Sequence, residues 1–308
     1  MAFSLACRDD GETKAVVPTL GVTATVSTPI PTPPPTSTRP PATATRPAPI
    51  ATPRSNLAFS FGAGVDAGDR AIITNAVETS RKLLIAAGAI DAPCTVLAYD
   101  SLTGLSQAYT RTAGSRAWRA ADVVRRLLNG VAEAGYRNVS IYTNGSFWRG
   151  ANAVQRSQAV AHEYVHVVQL ELLGERLADQ TFNTPADKVP PGGPFWLLEG
   201  SAELLSWAII EELRLGNLES KLEEYRQHAA EGSRTLAEME TYVGYIEGGQ
   251  PGVATSVLGV SALLKNRPAS DLFRFWALIR IGQPWQNAFV AVFGMPVADF
   301  YRVFAAGR

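Results

Sequence analysis

The sequence has few cysteines, no formal net charge and no long apolar run. Its two cysteines, Cys7 and Cys94, are too few for a disulfide framework. The 28 basic and 28 acidic side chains balance, so charge gives no reason to expect nucleic acid as a partner. The longest apolar stretch, residues 253–264, is interrupted by polar residues and is shorter than the roughly 18 residues that a membrane-spanning helix needs. It predicts a core helix instead.

The first 55 residues differ in composition from the rest of the chain. Residues 18–53 contain eleven prolines among threonine, serine and alanine, and no acidic residue occurs between Glu12 and Asp66. Such a segment has too little apolar content to offset its ordering entropy, and its prolines favour extended polyproline geometry. We therefore predict a disordered linker over residues 1–55 and a folded domain over residues 56–308.

A short segment near the start, FSLAC at residues 3–7, resembles the cleavage site of bacterial lipoproteins. In that family the cysteine becomes the lipidated first residue, so the resemblance implies an extracytoplasmic protein anchored to the membrane through Cys7. Six residues before Cys7 are too few for a signal peptide, so this hypothesis needs a start codon upstream of Met1. The alternative is a cytoplasmic protein with a disordered tail. We expect Cys94 to be an inert, partly buried thiol.

Hydrophobic periodicity predicts a mixed fold. Helical spacing occurs at residues 66–87, 118–134 and 152–173, and strand patterns occur at residues 95–99 and 138–143. After a Pro-rich loop the chain is predicted to be helical almost to its end. We therefore expect an α+β fold, with an α/β lobe at about residues 56–178 and an all-α lobe at about residues 179–308.

The long helix at residues 152–173 contains the sequence HEYVH. His162 and His166 are four residues apart, so both imidazoles project from one helical face and can bind a single metal ion. Glu163 lies beside them, where a carboxylate can take a proton from a water molecule. A separate apolar stripe serves the core and leaves the side with His162, His166 and Gln169 free for the site. The third histidine, His228, is predicted to be a solvated helix residue.

The segment WLLEGSAE at residues 196–203 offers a third ligand. HExxH followed by this segment resembles the gluzincin metallopeptidases, closest to the peptidase MA-like domains of bacterial surface proteins. The resemblance implies a zincin-like two-lobed fold, Zn²⁺ as cofactor, Glu199 as the third ligand and Glu203 as support for a ligating histidine. We also expect the small residues Gly200 and Ala202 to let this helix approach the HExxH helix closely.

The resemblance also implies two further features of the site. Gluzincins place a tyrosine or histidine near the metal to stabilise the oxyanion, and Tyr245, with Tyr242 as the other choice, lies before a Gly-Gly-Gln-Pro-Gly turn. An ordinary half-buried tyrosine is the alternative. Zincins also pair the substrate with an edge strand, which assigns residues 138–143 to that edge and residues 142–144 to the substrate's flank. For any single side chain, a strand buried for packing alone is the alternative.

Two functions remain open at this point. The first is zinc-dependent hydrolysis of peptide bonds at the cell surface, with a peptide or protein as substrate and Glu163 as the base. The second is a surface-tethered binding module on the same scaffold, with a structural metal or lost turnover. In both, contact with the membrane is expected only through a lipid at Cys7.

Overall fold

The computed structural model describes residues 56–128 and 132–307. The predicted linker at residues 1–55, including Cys7, lies outside these ranges. Within them the chain forms four strands, in the order β1 Leu57–Phe61, β2 Cys94–Tyr99, β3 Ala132–Gly135 and β4 Asn138–Tyr142. The helices are α1 Ala67–Ala86, α2 Leu102–Thr112, α3 Ala120–Leu127, α4 Ser146–Gly150, α5 Ala153–Leu173, α6 Glu175–Phe182, α7 Phe195–Glu212, α8 Leu218–Ala230, α9 Tyr242–Glu247, α10 Gly249–Leu263, α11 Ser270–Arg280, α12 Trp285–Phe293 and α13 Val297–Ala306, with a 3₁₀ helix at Gly114–Arg119. The α+β class is therefore confirmed.

The strands form one sheet in the order β1-β2-β4-β3. β1, β2 and β4 are parallel, and β3 runs antiparallel to β4. Val96 of β2 and Val139 of β4 are register partners, and both are fully buried. The β-branched residues of these central strands thus pack in the core, as their high strand propensity favours.

The predicted edge strand is wrong. β4, at Asn138–Tyr142, lies between β2 and β3, so β3 is the edge on this side of the sheet. The backbone of β4 is hydrogen-bonded on both sides and has no edge for a substrate, and residues 142–144 lose the flanking role assigned to them. A two-residue turn at Tyr136 and Arg137 reverses the chain, and Arg137 takes a left-handed φ of 64°, which a type II turn requires at its second central residue.

The predicted helix at residues 118–134 is also wrong in its second half. α3 ends at Leu127, and Ala132–Gly135 forms β3. Alanine and glutamate favour a helix in isolation, but here the segment pairs with β4 and all four of its residues are buried. Tertiary pairing therefore overrides local propensity.

Helix α5 has the bounds that its sequence signals predict. The Asn152 side chain accepts a hydrogen bond from the Gln155 backbone N–H, and the Gln155 side chain accepts one from the Asn152 N–H, both at 2.9 Å. This capping box satisfies two otherwise unpaired donors of the first turn. The helix ends at Gly174, whose φ of 77° is easily reached only by glycine. α5 is thereby fixed at both ends as a rigid element.

Helix α7 packs between α5 and α10. The expectation that Gly200 permits a close approach to α5 is wrong, because Gly200 faces α10 instead. A Cβ atom on Gly200 would lie 2.6 Å from the Ser256 carbonyl oxygen, well inside van der Waals contact. Ala202 is fully buried. The position of α7 is therefore set by its contact with α10.

The Gly-Gly-Gln-Pro-Gly segment is the start of α10 and not a turn between loops. Gly248 separates α9 from α10, Gly249 begins α10 with a φ of 55°, and Pro251 lies in the first helical turn, where a missing N–H costs no hydrogen bond. Tyr245 consequently lies on the short helix α9. None of the described helices is alone long and apolar enough to cross a membrane; α12 and α13, bent by 61° at their break, reach that length only together.

Candidate metal centre

Three side chains from two helices converge beside the sheet. His162 and His166 lie one turn apart on α5, with their Nε2 atoms 3.1 Å apart. Glu199 extends from the first half of α7, and its Oε2 atom lies 3.5 Å from each Nε2 atom. The three side chains are between 16% and 19% exposed, so the site is largely shielded from solvent but reachable. The structure thus brings together the three residues predicted as ligands.

The donor atoms have the spacing that a small divalent ion requires. One ligand atom from each residue lies within 4.8 Å of the others. Ligands held about 2.0–2.1 Å from a tetrahedral Zn²⁺ are about 3.4 Å apart. The measured separations of 3.1 and 3.5 Å bracket that value. Two imidazole nitrogens and one carboxylate oxygen suit Zn²⁺, and they would also accept Co²⁺ or Mn²⁺.

The outer nitrogen of His162 is held by Glu203. His162 Nδ1 lies 3.0 Å from Glu203 Oε2. Burial opposes ionisation of Glu203, but hydrogen bonds from His162, Tyr225 and Trp207 outweigh it and hold the pKa below its ordinary value. An ionised carboxylate only accepts hydrogen bonds, so Nδ1 carries the proton. The inner atom, Nε2, is thereby turned towards His166 and Glu199, as a metal ligand requires.

Glu203 is itself surrounded by donors. Its Oε2 accepts from Gln158 Nε2 at 2.9 Å, in addition to His162. Its Oε1 accepts from Trp207 Nε1 at 3.1 Å and from the Tyr225 hydroxyl. None of these three partners was predicted from the sequence. Gln158 lies four residues before His162 on the same helical face and was recognisable by spacing, whereas nothing local points to Tyr225 on α8.

Groups of opposite charge from α5 and α7 meet at the site. Burial disfavours a charge on His162, but hydrogen bonds to Glu199 and Glu203 outweigh it and hold its pKa well above the ordinary value. Burial likewise opposes ionisation of Glu199, but the neighbouring His166 and His162 hold its pKa below the ordinary value. Glu199 is therefore an anionic oxygen donor next to two imidazoles, a suitable arrangement for binding a cation.

Glu163 lies against the edge strand. Its Oε2 accepts a hydrogen bond from the Ala134 backbone N–H of β3 at 2.6 Å. Burial raises the pKa of Glu163, and the nearby His162 and His166 offset part of that shift. A carboxyl group with a raised pKa is a better proton acceptor near neutral pH than an ordinary glutamate.

Tyr245 lies close to the ligand from α7. Its side chain is buried, and burial, followed by the negative charges of Glu199 and Glu203, raises its pKa well above the ordinary value. The phenol is therefore protonated and within electrostatic reach of both carboxylates. Burial, followed by the negative charge of Glu199, also raises the pKa of Tyr242. The Tyr242 ring packs on Phe195, with the ring centroids 5.3 Å apart. The catalytic role of Tyr245 stays a prediction.

Two other residues lie apart from this centre. His228 is on α8 with 25% of its side chain exposed, and it is not part of the metal-ligand cluster found in the described residues. Cys94 is fully buried, and burial raises the pKa of its thiol to about 12. The Cys94 thiol is therefore protonated at neutral pH, as expected for an inert cysteine.

The chain was also compared with known proteins. No protein-family model, no curated protein and no solved structure matches it.

Proposed function

We propose that this protein is a zinc-dependent peptidase of the gluzincin type, with a zincin-like two-lobed fold. One observation carries the proposal. The three donor atoms of His162, His166 and Glu199 meet at 3.1–3.5 Å, and Glu163 follows His162 directly on the same helix. A purely structural metal site has no need for a base between its histidines, whereas a hydrolytic site does.

His162, His166 and Glu199 would hold the ion. When bound, Zn²⁺ polarises the scissile carbonyl and lowers the pKa of water towards about 7. Glu203 keeps His162 in the tautomer that offers Nε2, and it neutralises charge on that imidazole. Three protein ligands are the number typical of catalytic zinc sites, whereas structural zinc sites have four.

Glu163 would act as the general base. Its carboxylate takes a proton from the attacking water and then delivers it to the leaving amine. The raised pKa of Glu163 suits both steps, because the group must gain and lose a proton near neutral pH. Tyr245 would donate a hydrogen bond to the oxygen of the carbonyl under attack.

The edge strand β3 would bind the substrate backbone. It lies at the edge of the sheet, packs against α5 and contacts Glu163 through Ala134. An extended peptide can add to such an edge through main-chain hydrogen bonds once Glu163 releases the Ala134 N–H. This assignment replaces the one made for β4.

Hydrolysis of a denatured protein by the full chain, with and without a metal chelator, tests the proposal. We expect cleavage that the chelator abolishes and that Zn²⁺ restores. Glu163→Gln keeps the ligand set and should lower the rate by about 10²–10⁴-fold while zinc binding persists. Cleavage by Glu163→Gln at the wild-type rate would contradict the mechanism.

A binding module on the same scaffold is the second candidate. It is favoured by the hydrogen bond between Glu163 and Ala134, because that contact occupies one oxygen of the base. If the chain binds zinc and captures the denatured protein without cleaving it, the binding module replaces the peptidase.

We also propose that the protein is extracytoplasmic and anchored by a lipid at Cys7. The likeness of residues 3–7 to a lipoprotein cleavage site and the Pro/Thr-rich residues 18–53 support this. The chain expressed in bacteria from its complete gene should fractionate with membranes, and Cys7→Ser should release it. An unchanged distribution of Cys7→Ser would contradict the anchor.

A further inference from the structure

Gln169 is a buried polar residue that makes contacts on both helices of the candidate metal centre. It lies three residues after His166 on α5 and is 1% exposed. Its Oε1 lies 2.7 Å from His166 Nδ1. Its Nε2 donates to the Leu198 carbonyl at 3.0 Å and to Ser201 Oγ at 2.9 Å, both on α7.

These contacts fix which way the amide points. The Leu198 carbonyl can only accept a hydrogen bond, so the atom facing it must be the amide nitrogen. The Ser201 hydroxyl donates to the Leu197 carbonyl, which leaves its oxygen as an acceptor for the same amide group. The amide oxygen therefore faces His166, and an oxygen there accepts only from a protonated Nδ1. Neutral His166 is thereby left with a lone pair on Nε2, the atom that faces His162 and Glu199.

Leu198 immediately precedes Glu199. A single amide thus contacts the ring of one candidate ligand and the backbone next to another. We infer that Gln169 is a positioning residue that fixes the tautomer of His166 and aligns His166 with Glu199. The inference rests on the proposed metal site, and it adds a residue for which no role was assigned from the sequence.

Zinc affinity of the full chain, measured by competition with a chromophoric chelator, is the first test. Gln169→Leu keeps the approximate side-chain volume but removes the acceptor and both donors. We expect its zinc affinity to fall by about 10–100-fold, the usual loss when a partner of a ligating histidine is removed. Gln227→Leu is the matched control, because Gln227 is exposed on α8, and its affinity should equal that of the wild type.

A second readout separates positioning from general support of the fold. The chain has three histidines, so ¹⁵N-histidine NMR of the zinc-loaded protein can assign each ring. The wild type should show protected Nδ1–H signals for His162 and His166. Gln169→Leu should lose the His166 signal and keep that of His162. Gln169→Glu retains an oxygen facing Nδ1, so it should restore the His166 signal and bind zinc more tightly than Gln169→Leu.

The outcomes are distinguishable. If the wild type binds zinc and Gln169→Leu binds it equally well with both Nδ1–H signals intact, the positioning role is wrong and the metal site stands. If the wild type binds no zinc, the proposed function and this inference both fail. If Gln169→Leu does not fold, Gln169→Glu decides: loss of its His166 signal would overturn the inference, and retention would support it.

Discussion

His162 and His166 present the same atom to the candidate metal site, but different groups hold them. Behind His162 is the carboxylate of Glu203, which also accepts from Gln158, Trp207 and Tyr225. Behind His166 is the neutral amide of Gln169. The hydrogen bonds of Glu203 connect three helices, α5, α7 and α8, whereas those of Gln169 connect only α5 and α7.

The two imidazoles are therefore positioned by groups whose burial has different energetic consequences. A buried carboxylate must be compensated by several donors, and Glu203 has four. A neutral amide needs fewer partners, because no charge is desolvated. The third ligand is different again, since the position of Glu199 depends on how closely α7 packs at Gly200. Changing each support separately tests this comparison.

Glu203→Ala should have the largest effect. It removes the carboxylate that accepts from Gln158, Trp207 and Tyr225, although Gln158 keeps Ser206 Oγ as an acceptor, so the free energy of unfolding should fall by about 3–5 kcal/mol. Zinc affinity should fall by about 10–100-fold. Chemical denaturation and chelator competition measure the two losses. Glu212→Ala, at an exposed position of α7, is the control. Equal stability of the two variants would contradict the role given to Glu203.

Gly200→Ala should have an intermediate effect. The new Cβ would lie 2.6 Å from the Ser256 carbonyl oxygen, so α7 must move away from α10. Such overpacking costs about 1–3 kcal/mol of unfolding free energy, and zinc affinity should fall with it because Glu199 moves. Thermal denaturation with and without zinc measures both. In the control Gly150→Ala the new Cβ meets no atom within 4 Å. A Gly200→Ala variant as stable as this control would show that α7 is not held there.

Tyr225→Phe should have the smallest effect. It removes one of the four donors to Glu203, and three remain. The loss of unfolding free energy should be about 1 kcal/mol, with a small decrease in zinc affinity. Tyr99→Phe is the matched control, because the Tyr99 hydroxyl of β2 is hydrogen-bonded to Ser60 Oγ of β1 at 2.7 Å. It should lower stability but leave zinc affinity unchanged. If both variants changed zinc affinity equally, Tyr225 would have no specific link to the site.

The parts of the site that were predictable from sequence are the local ones. α5 has a capping box at Asn152, a glycine stop at Gly174 and two histidines at helical spacing, and all of these signals act within one helix. The convergence of Glu199 with the histidines was inferred from a resemblance and not from spacing. Tyr225 could not be found at all, because it reaches Glu203 from another helix.

The errors in the fold have the same physical origin. β3 has the composition of a helix, and only its pairing with β4 makes it a strand. Because β3 pairs with the outer side of β4, β3 and not β4 is the edge of the sheet. Missing β3 in the sequence therefore also made the prediction of the edge strand wrong. Gly200 was predicted to pack against α5, but it packs against α10. A small residue indicates that another element approaches closely, and it does not identify that element. Long-range contacts decided each of these features.

The zinc content of the full chain, purified without chelator, tests whether the three predicted ligands bind a metal ion. It is measured for the wild type, for Glu199→Ala and for Glu212→Ala, which removes a carboxylate from an exposed position of the same helix. The three-ligand site predicts about one zinc per chain in the wild type and in Glu212→Ala, and much less in Glu199→Ala. Absence of zinc from the wild type, or equal zinc in all three, would contradict it.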